Sequence, residues 1–141
     1  MKKKYLVLVV GIVPLLTACG SSNTLSCVRN SDGALIERIV EFDSKGEKVT
    51  DALVNYSIDL SGEDLDEYGC ESMEECLDEF AKELDDCKED EEYYDCKITN
   101  RTKTSLTIQG KAVKESIEKE FKNKNYDEVK EMLEEEGLEC K

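Results

Sequence analysis

Cysteine is the residue type with the most chemistry to offer in this chain, because its thiolate can be acylated, oxidised to a disulfide, bind a metal or act as a nucleophile. Seven are present, at Cys19, Cys27, Cys70, Cys76, Cys87, Cys96 and Cys140, in 141 residues that contain no histidine. No two stand as Cys-x-x-Cys, the spacing of thiol redox motifs and of many zinc sites, and histidine, the other common zinc ligand, is missing. Neither a metal nor any other cofactor is therefore expected. The same lack of histidine removes the usual proton carrier of hydrolytic triads. Thirty-four acidic residues could supply a carboxylate pair for hydrolysis, but so many single out no pair, and no tryptophan offers a sugar-stacking platform. The chain is not expected to be an enzyme, with a carboxylate-based hydrolase as the remote alternative.

Cys19 stands apart from the other six. Lys2, Lys3 and Lys4 precede an uncharged, Leu- and Val-rich stretch over residues 5–16, which is the anatomy of a signal peptide. A membrane-spanning helix needs about 20 apolar residues, more than this run supplies before the polar Gly20-Ser21-Ser22-Asn23. The segment closes on Leu16-Thr17-Ala18-Cys19, which resembles the lipobox of bacterial lipoproteins: aliphatic, small, small, cysteine. That resemblance implies cleavage after Ala18 and lipid on the Cys19 sulfur, with fatty-acyl chains of the palmitate kind. Each buried methylene contributes about 0.8 kcal/mol, so two or more chains anchor stably. The expected organisation is a signal peptide over 1–18, a lipidated tether over 19–24 and a single domain over 25–141. The expected address is the extracytoplasmic face of the cell membrane, in the cell envelope.

Removal of residues 1–18 leaves 123 residues, enough for one modest core. It also removes three lysines, so 16 basic side chains face 34 acidic ones and the net charge becomes −18. Such a domain repels nucleic acid and anionic headgroups and favours cationic or neutral partners. The run Asp85-Asp86 to Glu91-Glu92 lacks the EF-hand order of alternating ligands around a glycine.

The remaining six cysteines need elements to position them. A short strand is predicted at residues 25–28, a turn at Asn30-Ser31-Asp32-Gly33, and a strand from Ala34 to Phe42 ending at Asp43-Ser44-Lys45-Gly46. The return strand from Lys48 to Leu60 alternates, with Ala52, Val54, Tyr56, Ile58 and Leu60 on one face, so the sheet is antiparallel and covered on one side. Ser72-Met73-Glu74-Glu75 reads as a capping box. Behind it Met73, Cys76, Leu77, Phe80, Leu84 and Cys87 fall at helical spacing in one helix reaching Asp86. Tyr94, Cys96 and Ile98 alternate as a strand with a common face, and Leu106 and Ile108 mark the next. Val113, Ile117 and Phe121, then Tyr126, Val129, Met132 and Leu133, give two closing helices, the second stopped by Gly137. The fold class is α+β, an antiparallel β-sheet with helices packed on one face and disulfide-bonded.

Six cysteines in an exported chain predict three disulfides, for which fifteen connectivities exist. A helix rises about 1.5 Å per residue, which puts Cys76 and Cys87 roughly 16 Å apart and Cys70 no nearer to Cys87. Both pairs exceed the reach of a disulfide, about 7 Å between α-carbons, and nine connectivities remain. If Cys27 and Cys140 join the two ends of the domain, a single solution is left, Cys70 with Cys76 and Cys87 with Cys96.

The lipobox, the Leu25-Ser26-Cys27 opening, the hairpin Phe42-Asp43-Ser44-Lys45-Gly46-Glu47-Lys48-Val49-Thr50 and the ending from Asn125-Tyr126-Asp127-Glu128 to Glu139-Cys140-Lys141 together resemble the YehR-like family of small bacterial lipoproteins. The resemblance covers most of the chain. It implies an α+β fold with an antiparallel sheet and packed helices, and cysteines near both ends. It brings no activity and transfers no site residue, and it implies that Cys70, Cys76 and Cys87 are insertions particular to this sequence type.

A tethered, acidic, disulfide-rigidified domain is expected to act as an extracytoplasmic binding or interaction module. Its partners would be the membrane, through lipid on Cys19, and an envelope protein or a small ligand. The alternative is a structural envelope protein without a small ligand. Tyr56, Tyr93, Tyr94 and Tyr126 are the aromatic candidates for a contact surface, each also placed where a core residue is expected. Asn55-Tyr56-Ser57 and Asn100-Arg101-Thr102 match the glycosylation sequon, which a bacterial lipobox makes accidental.

Overall fold

The computed structural model describes residues 23–31 and 33–141. The segment expected to be a signal peptide, the lipidation expected at Cys19 and most of the expected tether lie outside them, as does Asp32 of the first predicted turn. The first three strands are consecutive antiparallel neighbours: β1 (Thr24–Ser31), β2 (Ala34–Phe42) and β3 (Val49–Asp59). β1 is longer than the sequence signal because pairing with β2 continues to Ser31 opposite Ala34. A 3-10 turn (Leu65–Tyr68) and two α-helical segments follow, α1 (Met73–Ala81) and α2 (Glu83–Glu89), then β4 (Tyr93–Arg101), β5 (Ser105–Ala112), α3 (Lys114–Phe121), α4 (Tyr126–Glu135) and the two-residue β6 (Glu139–Cys140). The sheet runs in the order β4-β5-β3-β2-β1-β6.

The β2–β3 hairpin is tied by one carboxylate. Asp43 Oδ1 accepts from the Glu47 N–H at 2.9 Å and the Lys45 N–H at 3.2 Å, and Gly46 supplies the left-handed residue at φ 68°. The turn also receives a helix, since the Tyr126 N–H at the start of α4 donates to the Gly46 carbonyl at 2.9 Å. Bonds from backbone N–H groups, Glu47 first, hold the Asp43 carboxyl below its ordinary range. A depressed folded value means that the contribution is present above the unfolded value, about 3.9, and is lost as pH falls through the folded one. Asp43→Asn should therefore lower the melting temperature at pH 7, and the gap to the parent should narrow as pH falls below the unfolded value, read from paired thermal melts.

Alternation along the strands puts Leu25, Cys27, Val40, Ala52, Ile58, Leu106 and Ile108 on one face, where all are buried. The helices cover this face in two groups. Phe121 of α3 and Val129 and Leu133 of α4 join Leu25, Val40, Phe42 and Ala52, while Cys76 and Leu77 of α1 join Ile58, Leu60, Leu106 and Ile108. Arg38 of β2 lies between the α3 and α4 ends. Its guanidinium meets Glu120 Oε1 at 2.8 Å and Glu136 Oε2 at 3.5 Å, and sits 5.7 Å from the centre of the Phe121 ring, within cation–π range.

Three sequence expectations change in detail. The helix predicted from Met73 to Asp86 breaks at Lys82, where the Lys82 N–H donates to Glu79 O and the Asp85 N–H to Lys82 O, the tighter i to i+3 geometry. The break lets α2 pack on β4, to which Cys87 is bonded. At the start of α1, Ser72 Oγ accepts from the Glu75 N–H, but Glu75 Oε2 accepts from the Glu71 N–H, one residue too early for a capping box. A complete box stands instead at α4, where Asn125 and Glu128 exchange both bonds. Finally, β4 carries register shifts between Tyr94 and Lys97 and between Ile98 and Asn100, with Asp95 at φ 52°. The extra residue reverses the alternation, so Tyr94 and Ile98 face opposite sides of the sheet.

The disulfides join Cys27 to Cys140, Cys70 to Cys76 and Cys87 to Cys96, the one solution compatible with both forbidden pairs and a bridge between the ends. Gly110 of β5 makes room for the last of them. A Cβ built there would lie 2.7 Å from Cys87 Sγ and 3.4 Å from Cys96 Sγ, and both sulfurs are fixed by their bond. Gly110→Ala should cost about 1–3 kcal/mol, the range of an overpacked site. Most of that cost should disappear in a background carrying Cys87→Ala and Cys96→Ala, as a double-mutant cycle in urea would record.

Candidate functional site

The face opposite the helices is built by the alternate residues of the same strands. The buried helix side chains all belong to the two clusters on the covered face, and among the described residues none packs on the other. Its centre is a cross-strand row of Val28, Glu37, Asn55, Gln109 and Lys97, contributed in turn by β1, β2, β3, β5 and β4. The three middle members, Glu37, Asn55 and Gln109, are linked edge to edge. Ser26 Oγ donates to Glu37 Oε1 at 2.9 Å, Asn55 Nδ2 donates to Glu37 Oε2 at 3.0 Å, and Gln109 Nε2 donates to Asn55 Oδ1 at 3.0 Å. One row away, Ser57 and Thr107 share a hydrogen bond of 2.9 Å.

Glu37 has an unusual setting on this face. Each carboxylate oxygen is oriented by a neutral donor, from Ser26 and from Asn55. Leu35 and Ile39 flank it along β2 and Val28 stands opposite it on β1, all three half-buried. No lysine or arginine among the described residues forms an ion pair with it, whereas Lys97 and Lys111 on the far side of the face both turn to Asp95, at 3.3 and 3.7 Å. Glu41 and Asp51 oppose each other across the hairpin, again without a pairing cation among the described residues, an arrangement that is locally repulsive.

The tyrosine candidates separate clearly. Tyr56 lies on the covered face, its ring centre 6.5 Å from Phe80, and Tyr126 packs against Phe42 at 5.2 Å. Tyr93 lines a notch with Arg38, Ala112, Ser116 and Glu120, and burial pushes its phenol up from the ordinary value, with the nearby carboxylates adding and Arg38 opposing. The notch encloses about 20 Å³, room for a water molecule and no more. Tyr94 corrects the expectation of burial: it is 49% exposed, on the open face beside Lys111. The bulge after it turns it outward.

Other candidates have simple placements. All six cysteines after residue 24 are in disulfides. The acidic run is spread over α2 and the loop after it, where Asp90 Oδ1 accepts from the Glu92 N–H, and among the described residues no group of three acidic or cysteine side chains converges as a metal site would. No polar or charged described residue is buried. Asn55 of the first sequon has its amide nitrogen and oxygen both engaged in the ladder. The Glu37–Asn55–Gln109 alignment was missed in the sequence because it depends on the pairing register of three strands. The available signal was the polar residue recurring at the middle of each strand's wet face. No family model, curated protein or solved structure matches this chain.

Proposed function

We propose that this chain is a bacterial lipoprotein of the cell envelope, anchored by lipid on Cys19, and that it works as an extracytoplasmic binding or interaction module with the open face of its sheet as the contact surface. The observation that carries this reading is the composition of that face: a hydrogen-bonded row of Glu37, Asn55 and Gln109 set among half-buried Val28, Leu35, Ile39 and Leu53, with no helix over it among the described residues. Ordered polar groups with apolar neighbours are what a specific interface requires, the first for orientation and the second for affinity. A domain that served only as a spacer would have no need to pre-order these side chains. Disulfides at the sheet's edge and around the helices keep the face rigid, which lowers the entropic cost of docking. The resemblance to YehR-like lipoproteins agrees with the address and adds no ligand.

The test is made in cells expressing the full chain. A photo-crosslinking residue at Leu53 or Thr107 on the open face should yield one discrete adduct, identified by mass spectrometry, while the same probe at Lys119 on α3 should not. Adducts at Lys119 alone would move the contact surface to the helices. The anchor has its own readout: Cys19→Ala should abolish incorporation of a palmitate analogue and release the protein from the membrane fraction.

A further inference from the structure

Resting on the open face as the contact surface, we infer that its occupant is a cationic protein segment in extended conformation, with a lysine or arginine seated on Glu37 and apolar residues two positions to either side. Charge complementarity carries the argument. The β1–β3 half of the face presents Glu37, Glu41, Asp51 and Asp59, and none of them has an ion-pair partner among the described residues. The two lysines of the β4–β5 half are already held by Asp95. A second copy of this acidic chain would bring like charge to like charge, and anionic headgroups or nucleic acid would be repelled in the same way.

Geometry restricts the partner further. Ser26 and Asn55 hold the two oxygens of Glu37 in place, so the carboxylate is ordered before anything binds and little entropy is lost on pairing. Leu35 and Ile39 lie two residues away on either side, at the same-face repeat of a strand. An extended partner running along β2 repeats its own same-face side chains at that spacing, so the matching order is apolar, basic, apolar at every second residue. A bare metal ion would need several oxygens converging on one point, and no such group exists among the described residues.

The experiment uses the full lipidated chain in a neutral detergent, isotope-labelled for amide shifts, and a synthetic peptide of the pattern Thr-Val-Thr-Lys-Thr-Val-Thr. One control peptide replaces its lysine with glutamate, and another replaces both valines with serine. The expected result is binding of the first peptide with shifts centred on β1 to β3, weakened by added salt. Each control peptide should bind about tenfold or more weakly, and Glu37→Gln should lose about tenfold in affinity, while Glu118→Gln on α3 should bind like the parent. Leu35→Ser removes one apolar flank and leaves the carboxylate in place, so it provides a second variant should Glu37→Gln disturb the ladder; it too should weaken binding. Unchanged affinity in both variants, or equal binding of the serine control, would overturn the cationic-segment inference. Tighter binding of the glutamate control to the same strands would overturn it as well, yet would leave the open face standing as a contact surface. Failure of every peptide together with absence of open-face crosslinks would remove both.

Discussion

Replacing Cys27 and Cys140 together by alanine is expected to destabilise the domain by about 4–5 kcal/mol, the loop-closure value for a cross-link spanning on the order of 100 residues; here the bridged positions are 113 apart. Alanine is the right substitute because Cys27 is wholly buried, and a serine hydroxyl there would add the cost of an unsatisfied polar group. The effect also has a local component. β6 has only two residues, paired as Cys140 with Cys27 and Glu139 with Val28, and the Lys141 N–H donates to Ser26 O at 2.9 Å. Without the bridge this short edge strand should fray. Urea unfolding should show the drop in midpoint, and limited carboxypeptidase digestion should show the loosened end. The Cys70–Cys76 and Cys87–Cys96 bridges span 6 and 9 residues, for which the same relation gives about 2–3 kcal/mol. If either local pair proved more costly to remove than the long one, chain entropy would not be the governing term.

Phe121→Ala should cost about 3–5 kcal/mol, the range for deleting a buried aromatic ring. The ring is 3% exposed and lies in the cluster with Val40, Ala52, Val129 and Leu133. It also supports Arg38, which reaches from the sheet to Glu120 on α3 and Glu136 just beyond α4. Losing the ring therefore removes both packing and the platform beneath that guanidinium, and Phe121→Leu should recover more than half of the loss. Because Ile58, Leu60, Leu77 and Leu106 form a second cluster, the spatial pattern is informative. Amide exchange should accelerate first in α3, α4 and β6 and less in α1, and uniform acceleration would mean that the two clusters unfold as one unit.

Elements with a strong period were legible in the sequence alone. β2 was bounded by its own apolar pattern and the Asp43–Gly46 turn, the covered face of β3 from Ala52 to Ile58 followed from an alternation that Leu53 alone breaks, and α4 ended at Gly137, which takes φ 92°. Helix length excluded two cysteine pairs and left nine connectivities, and the pairing observed followed only with a bridge assumed between Cys27 and Cys140. The β4 side-chain directions were not legible, since bulges at Asp95 and near Asn100 are accommodations between neighbouring strands. A single extra residue reverses every side chain beyond it.

The open face marks the same boundary. Local sequence determined that β3 has a wet side and that Glu37 interrupts an apolar strand, because both are properties of residues two apart on one chain. Only the tertiary structure decided that Glu37, Asn55 and Gln109, separated by 18 and 54 positions, stand side by side with their hydrogen-bonding groups joined. Register is set by turn lengths and by which faces the helices bury, so it belongs to the assembled sheet and to no single strand.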